Sequence, residues 1–260
     1  MSQPAITREE MALIIDLHID GERQGPGSNT DTIRALDCCD LGDRTGLTVA
    51  DMGCGTGAST RVLAKKLDAQ IIAIDFARPF LLKLQSRVRE QALQDRVFPV
   101  CADMAKPSLP LQSLDLIWAE GAIYNIGFSA GIRAWKPLLK PRGLIAISEI
   151  GWLTNNPPQS LRKYWEDAYP EITTVSGSLE KLKAAGYRVL EHFTLSSAAW
   201  LDHYYQPMMA RSEQYLGRHA ASPTAQAIMA QERKEMALYE KYHDHFSYQF
   251  YVAESTHPTR

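Results

Sequence analysis

Three acids follow short apolar runs in the first half of the chain: Asp51 after Leu-Thr-Val-Ala, Asp75 after Gln-Ile-Ile-Ala-Ile, and Asp103 after Val-Phe-Pro-Val-Cys-Ala. Asp51 opens the stretch Asp-Met-Gly-Cys-Gly-Thr-Gly, in which Gly53, Gly55 and Gly57 alternate. Glycine tolerates left-handed torsions and leaves its N–H uncovered, so a ligand could sit against bare backbone at a helix start. Gly53-x-Gly55-x-x-Ala58 also satisfies the dinucleotide fingerprint, with Asp75 near the expected ribose position. The acids separate the two readings. Asp51 suits a cationic amino group and would repel a pyrophosphate, Asp103 is placed to accept from an exocyclic amine, and Gly57 adds a third alternate glycine. Together they favour a ligand with an ammonium group, a ribose and an adenine but no phosphate.

These residues need strands behind them and helices after them. Thr48, Val49 and Ala50 suit a buried strand, and from Ala58 onward Val62, Leu63 and Leu67 recur at helical spacing opposite Arg61, Lys65 and Lys66. Further strands are expected at 70–75, at 96–101 with Pro99 hinting at an edge, and at 114–119, 144–149, 187–195 and 247–253. The intervening helices include one near Pro79 with Leu81, Leu84 and Val88 as its apolar stripe, one over 129–139 stopped by Pro141-Arg142-Gly143, and one over 177–185. This alternation predicts an α/β fold with a parallel sheet covered on both faces, whose ligands bind at the carboxyl ends of the strands. Ahead of it, residues 8–20 read as a helix with Met11, Leu13, Ile14, Leu17 and His18 in pattern. Ser28 and Asn29 cap a second helix through about Asp40, with Ile33 and Leu36 as its buried positions. The Gly-Pro-Gly corner between them is expected to lie across the ligand site. After Glu149 come a helix around 161–168 rich in Tyr164, Trp165 and Tyr169, a helix over 198–217, and another from Ser222 carrying Ile228, Met229, Met236 and Tyr239. The last seven residues read as frayed.

In this order, Asp51-Met-Gly-Cys-Gly-Thr-Gly57, Asp75 with Phe76, Asp103-Met104, the 120–125 stretch and Leu138-Leu-Lys-Pro-Arg-Gly-Leu144 resemble the class I S-adenosylmethionine-dependent methyltransferases. The resemblance covers roughly residues 45–195 and the final strand. It implies a Rossmann-like, doubly wound seven-stranded sheet whose last strand is antiparallel and inserted beside the fifth. It implies S-adenosylmethionine as cofactor and S-adenosylhomocysteine as product. Asp51 with Gly53, Gly55 and Gly57 would hold the methionine part, Asp75 the ribose hydroxyls, Phe76 one side of the adenine, and Asp103 with Met104 its edge. Cys54 counts with this loop as a small filler rather than a nucleophile. The Gln24-Gly25-Pro-Gly-Ser28 corner is similar to that of a small-molecule branch, which adds Gln24 and Gly25 to the expected cofactor contacts. The expected organisation is a helical segment over 1–44 packing above the cofactor, then a methyltransferase domain over 45–260 with cap elements at about 151–175 and 197–245.

Methyl transfer is an in-line displacement, so positioning and desolvation carry most of it. A base is needed only where the acceptor must lose a proton. Glu120 and Tyr124 are the first catalytic candidates, because in this fold the loop after the fourth strand faces the transferred methyl; Glu120 is also a candidate cofactor contact. Glu149 lies near the same mouth. Substrate-lining candidates are His18, Trp152, Trp200, His203, Tyr204 and Tyr205. Two other readings stay open: a nicotinamide oxidoreductase using the same loop, and a cofactor-binding protein without catalysis.

Composition limits the partners. The formal charge is −2, from 28 basic and 30 acidic residues, which offers no basic excess for a nucleic-acid backbone. A small-molecule substrate is expected instead, and a homodimer is compatible with the sequence. The first residues lack the apolar run of a signal peptide and no segment reaches membrane-spanning length, so no membrane partner and a cytoplasmic address are expected. Cys38, Cys39, Cys54 and Cys101 fit neither a disulfide framework nor a zinc site. His243-Asp244-His245 lacks a further ligand, so no metal is expected. Asn156-Pro157-Pro158 resembles a motif of amino-group nucleic-acid methyltransferases but follows the fifth strand rather than the fourth, and is a chance match.

Overall fold

The computed structural model describes residues 6–256. Seven apolar runs pair into one sheet because their backbone groups, once buried, must find partners in neighbouring strands. They are β1 (Leu47–Met52), β2 (Ala69–Asp75), β3 (Val97–Cys101), β4 (Leu114–Glu120), β5 (Leu139–Trp152), β6 (Tyr187–Thr194) and β7 (Phe246–Ser255), arranged β3-β2-β1-β4-β5-β7-β6. The first five run parallel, and β7 lies antiparallel between β5 and β6. This is a Rossmann-like, doubly wound sheet with an antiparallel last strand. The order reverses between β1 and β4, where the carboxyl ends of the strands open a crevice.

Two apolar layers cover the sheet. On one face lie α1 (Arg8–His18), α2 (Asn29–Asp37), α3 (Ala58–Lys66), α4 (Arg78–Glu90) and α6 (Gln159–Ala168), with Leu13, Leu36, Leu63, Leu84 and Trp165 in the core. On the other lie α5 (Phe128–Trp135) and α7 (Val175–Ala184), with Ile132, Trp135 and Leu182 buried. β3 forms one edge of the sheet, the position that Pro99 predicts.

The boundaries move in four places. α2 stops at Asp37, and Ala35 and Leu36 are its buried apolar residues while Ile33 is only partly covered. β5 begins at Leu139 and runs through Pro141-Arg142-Gly143, which form a register irregularity between the Leu114–Leu139 and Leu116–Leu144 pairs instead of ending a helix. It also continues to Trp152, pairing with Phe246 of β7, so this ribbon outruns β4. The expected single helix over 198–217 is broken into α8 (Ser197–Trp200), a π-helical turn at Leu201–Tyr205, α9 (Gln206–Ala210) and α10 (Ser212–Arg218). Pro207, which lacks a backbone N–H, marks the restart of the α geometry. α11 (Pro223–Tyr242) then crosses back, capped by Ser222. Of the seven residues expected to fray, Glu254 and Ser255 belong to β7, where Arg142 and Arg188 both donate to Glu254, and residues 257–260 lie outside the described residues.

Candidate active site

The glycine loop joins β1 to α3 at the crevice. Gly57 sits at φ +83° as the residue before α3, and a Cβ there would run into Leu84 of α4. Gly55, at φ +54°, faces Gln24 just as closely. The loop's N–H groups are not bare as expected. Gly53 and Cys54 donate to the Ile74 carbonyl at 2.8 and 2.9 Å, and Gly57 donates to Cys54. Gly55 donates to Asp75 Oδ2 at 2.9 Å, and Thr56 donates to Gln24 Oε1 at 2.8 Å. The Gln24 amide in turn donates to Thr56 Oγ1, and Arg87 Nη1 donates to the same hydroxyl at 2.6 Å. The chain over 21–24 is thereby stapled onto the start of α3. Gly25 follows it, partly covered.

The three acids are held differently. Asp51, at 1% exposure, accepts from Ser59 Oγ at 2.9 Å and Thr60 Oγ1 at 2.6 Å through Oδ2. Its Oδ1 is buried without a hydrogen-bond partner. Burial, opposed by the two hydroxyls, pushes its carboxyl up to about 7. Asp75 is buried at the end of β2 and accepts from Gly55 N and, at 2.8 Å, from Ala77 N; burial raises its pKa despite these donors. Phe76 beside it is 59% exposed, an aromatic face left open at a strand end. Asp103 is exposed and its Oδ1 accepts from Ala105 N, fixing a turn. Met104 places its sulfur against Gly53.

Glu120 ends β4 and is not a free carboxylate. Arg23 Nη1 donates to Oε2 at 2.5 Å, and Thr32 Oγ1 and Trp118 Nε1 donate to Oε1 at 2.7 and 2.9 Å. The pair is buried on both sides, with 7% and 8% of the side chains exposed. Arg23 is the group that sequence reasoning missed here. A single arginine in a glycine-rich loop carries no pattern that names its partner.

Residues 49–143 match the family model described as "Methyltransferase domain". Over 123 residues the chain is 34% identical to a malonyl-[acyl-carrier protein] O-methyltransferase of a Methylovorus species, covering 45% of this chain and 42% of that protein. Over 160 residues it is 31% identical to methyltransferase GfsG of Streptomyces halstedii, covering 61% of this chain and 48% of that one. Residues 49–143 are thus similar to methyltransferase domains, and the relatives matched are methyltransferases. The chain spans less than half the length of these two curated relatives. Its fold is also that of a SAM-dependent methyltransferase from Thiobacillus denitrificans, solved in complex with S-adenosyl-L-homocysteine: TM-score 0.80 at 17% identity, covering 98% of this chain and 100% of that one.

In this methyltransferase fold the helical insertion stands beyond the ends of β4 and β5, and it sorts the substrate candidates. Trp200 is 1% exposed, stacks on Tyr239 at 4.3 Å and donates to Ser247 Oγ, so it is a core pillar. Trp152 and Tyr205 are likewise in the core, Tyr205 donating to Glu235 Oε1 at 2.8 Å. His203 is exposed on the outer side of the π turn. These four present no free face to a substrate beside the strand ends. His18 and Tyr204 do come together, with rings stacked at 6.0 Å, and both approach Glu232. Tyr124 is 41% exposed and meets Tyr169 edge-on at 6.2 Å. Tyr248, missed in the alternation of β7, puts its hydroxyl 3.7 Å from where a Cβ on Gly121 would stand, beside the end of β4. Glu149 is 2% exposed; its Oε1 accepts from Ile150 N, and its Oε2 is buried without a partner. Burial pushes Glu149 up to about 8 and Glu235 up to about 7. Among the described residues no group of three or more His, Cys, Asp or Glu side chains is placed to hold a metal ion, and no helix is long and apolar enough to cross a membrane.

Proposed function

We propose that the chain is an S-adenosylmethionine-dependent methyltransferase acting on a small molecule held between the ends of β4 and β5 and the helical insertion. The observation that carries this reading is Asp51. A carboxylate oxygen shut away without a donor costs free energy unless a cationic or N–H group meets it, and an α-ammonium has that chemistry. S-adenosylmethionine, when bound, supplies an electrophilic sulfonium methyl. Asp51 would take its amino group, and Asp75, oriented by Gly55 N and Ala77 N, would accept the ribose hydroxyls through its remaining lone pairs. Phe76 would cover one side of the adenine, with Asp103 and Met104 at its edge. Gln24 and Gly25 would close over the methionine end from the N-terminal segment, and Cys54 would fill the loop.

Glu120 acts in this reading as an anchor. Its three donors hold it fixed, so it positions the β4 end and the N-terminal segment. Tyr124 stays at the mouth, where it shapes the acceptor side.

The nicotinamide alternative requires a pyrophosphate beside Asp51, in a loop whose N–H groups at 53–57 already have protein partners. Replacing Asp75 by Ala is expected to weaken S-adenosylhomocysteine binding by roughly 1–3 kcal/mol, the worth of lost charged hydrogen bonds. Calorimetric titration of wild type and variant reads this directly, and an unchanged affinity contradicts the ribose assignment. Transfer of labelled methyl from S-adenosylmethionine to a panel of small acceptors then separates an enzyme from a cofactor-binding protein without catalysis.

A further inference from the structure

Asp51 is held on one side only. Ser59 and Thr60, in the first turn of α3, both donate to its Oδ2, at 2.9 and 2.6 Å. A carboxylate oxygen offers two lone pairs, so these two hydroxyls occupy Oδ2. Both are shut away from water, Ser59 at 6% and Thr60 at 0% exposure, and a hydrogen bond to a charged group is strongest in such surroundings. Oδ1 is buried with no partner. Protonation does not relieve it: an ionised Oδ1 is an acceptor without a donor, and an Oδ1–H is a donor without an acceptor. The carboxyl is thereby divided into a held oxygen and an open one.

Resting on the methyltransferase reading above, we propose that Ser59 and Thr60 are positioning residues of the cofactor site, which fix Oδ2 of Asp51 and leave Oδ1 to receive the α-ammonium of the ligand. Neither needs to touch the cofactor. Their second effect is on charge. Burial pushes the Asp51 carboxyl up to about 7, and the Thr60 and Ser59 hydroxyls oppose that rise. From β4, Glu120 raises it further by like charge, while Arg23 of the N-terminal segment lowers it. The Cys54 thiol of the glycine loop lies beside the same carboxyl and is pushed well above its ordinary value by burial. An ammonium pairs with the ionised carboxyl, so ligand uptake at neutral pH sends the proton of Asp51 to solvent. Removing a hydroxyl raises the carboxyl further and makes that ionisation harder.

The test is calorimetric titration of the full chain with S-adenosylhomocysteine between pH 6 and pH 8. Thr60→Val keeps the shape and removes one hydroxyl, Ser59→Ala removes the other, and Thr60→Ser keeps the donor. Wild-type affinity is expected to fall as pH drops through about 7. Thr60→Val is expected to bind about tenfold weaker than wild type at pH 6, with a smaller gap at pH 8. Ser59→Ala is expected to shift in the same direction, and Thr60→Ser to stay within about threefold of wild type. Asp75 is also raised by burial, but it titrates alike in wild type and variants, so the ratio of affinities isolates Asp51. A merely structural loss lowers the fraction of competent protein, read as stoichiometry, and leaves that ratio independent of pH. Unchanged affinity in the folded Thr60→Val and Ser59→Ala variants, a ratio independent of pH, or a Thr60→Ser variant as weak as Thr60→Val overturns the positioning role alone. Ser59→Ala decides the matter even where Thr60→Val fails to fold. Absence of S-adenosylhomocysteine binding to wild type overturns the methyltransferase reading itself.

Discussion

Glu149 carries the clearest prediction at the level of a single side chain. Its pKa in the fold, about 8, lies above the ordinary 4.5, so the native state holds a proton that the unfolded state has lost between those values. Stability from this group is therefore present below about pH 4.5 and is lost as pH rises toward 8. Asp51 and Glu235 act in the same direction. Burial, joined by the like charge of Glu171, outweighs the Ile150 N–H, Lys181 and the Tyr169 hydroxyl, which all favour the ionised form. Replacing Glu149 by Gln is expected to stabilise the free protein by roughly 1–3 kcal/mol at pH 8.5, read as a higher urea midpoint; a lower midpoint contradicts the claim that its oxygen is unpaired. Asp51, Asp75 and Asp103 were legible in the sequence because each ends an apolar run, a local signal. Trp200, Tyr205 and His203 were not. Which side of a helix faces a substrate depends on the π turn at Leu201–Tyr205, which turns the consecutive residues Tyr204 and Tyr205 both inward, and no 3.6-residue pattern encodes that shift.

Among the elements, the N-terminal segment docks through the buried Leu13, Leu17 and Leu36 and through a polar network around residues 20–24. Arg23 joins it to Glu120, Thr32 and Asn29, while Gln24 and Arg87 bind it to Thr56. Breaking a buried pair by removing one partner leaves an uncompensated charge, at a cost of about 3–5 kcal/mol. Arg23→Met is therefore expected to loosen the segment. Amide exchange over residues 21–32 should quicken while β1 and β4 keep their protection, and unaltered exchange there would falsify the anchoring role of Glu120. The Gly-Pro-Gly corner pointed to a crossing of the site, but the Arg23 to Glu120 contact joins residues far apart in sequence, beyond any local pattern. β5 shows the same limit. Its extension to Trp152 is set by pairing with Phe246, so the length of the wall beyond the strand ends is decided by β7 and not by the composition of residues 144–149.

For the molecule as a whole, the alternation of strands and helices sufficed to read a doubly wound sheet, because each apolar run in a parallel sheet is buried on both faces and stands out. The antiparallel insertion of β7 came from family resemblance, and pairing on both its sides with β5 and β6 bears it out. If the crevice binds its cofactor only in the native state, S-adenosylhomocysteine at about one hundred times its Kd adds roughly 2.7 kcal/mol to stability. A thermal melt should then shift upward by about 5–10 °C.

The most direct measurement is a pair of calorimetric titrations of the purified chain, one with S-adenosylhomocysteine and one with NADH. Saturable one-to-one binding of S-adenosylhomocysteine with no heat from NADH is the expected result. Saturable NADH binding without a response to S-adenosylhomocysteine would contradict the assignment of Asp51, the glycine loop and Asp75 to a cationic, phosphate-free adenosine ligand.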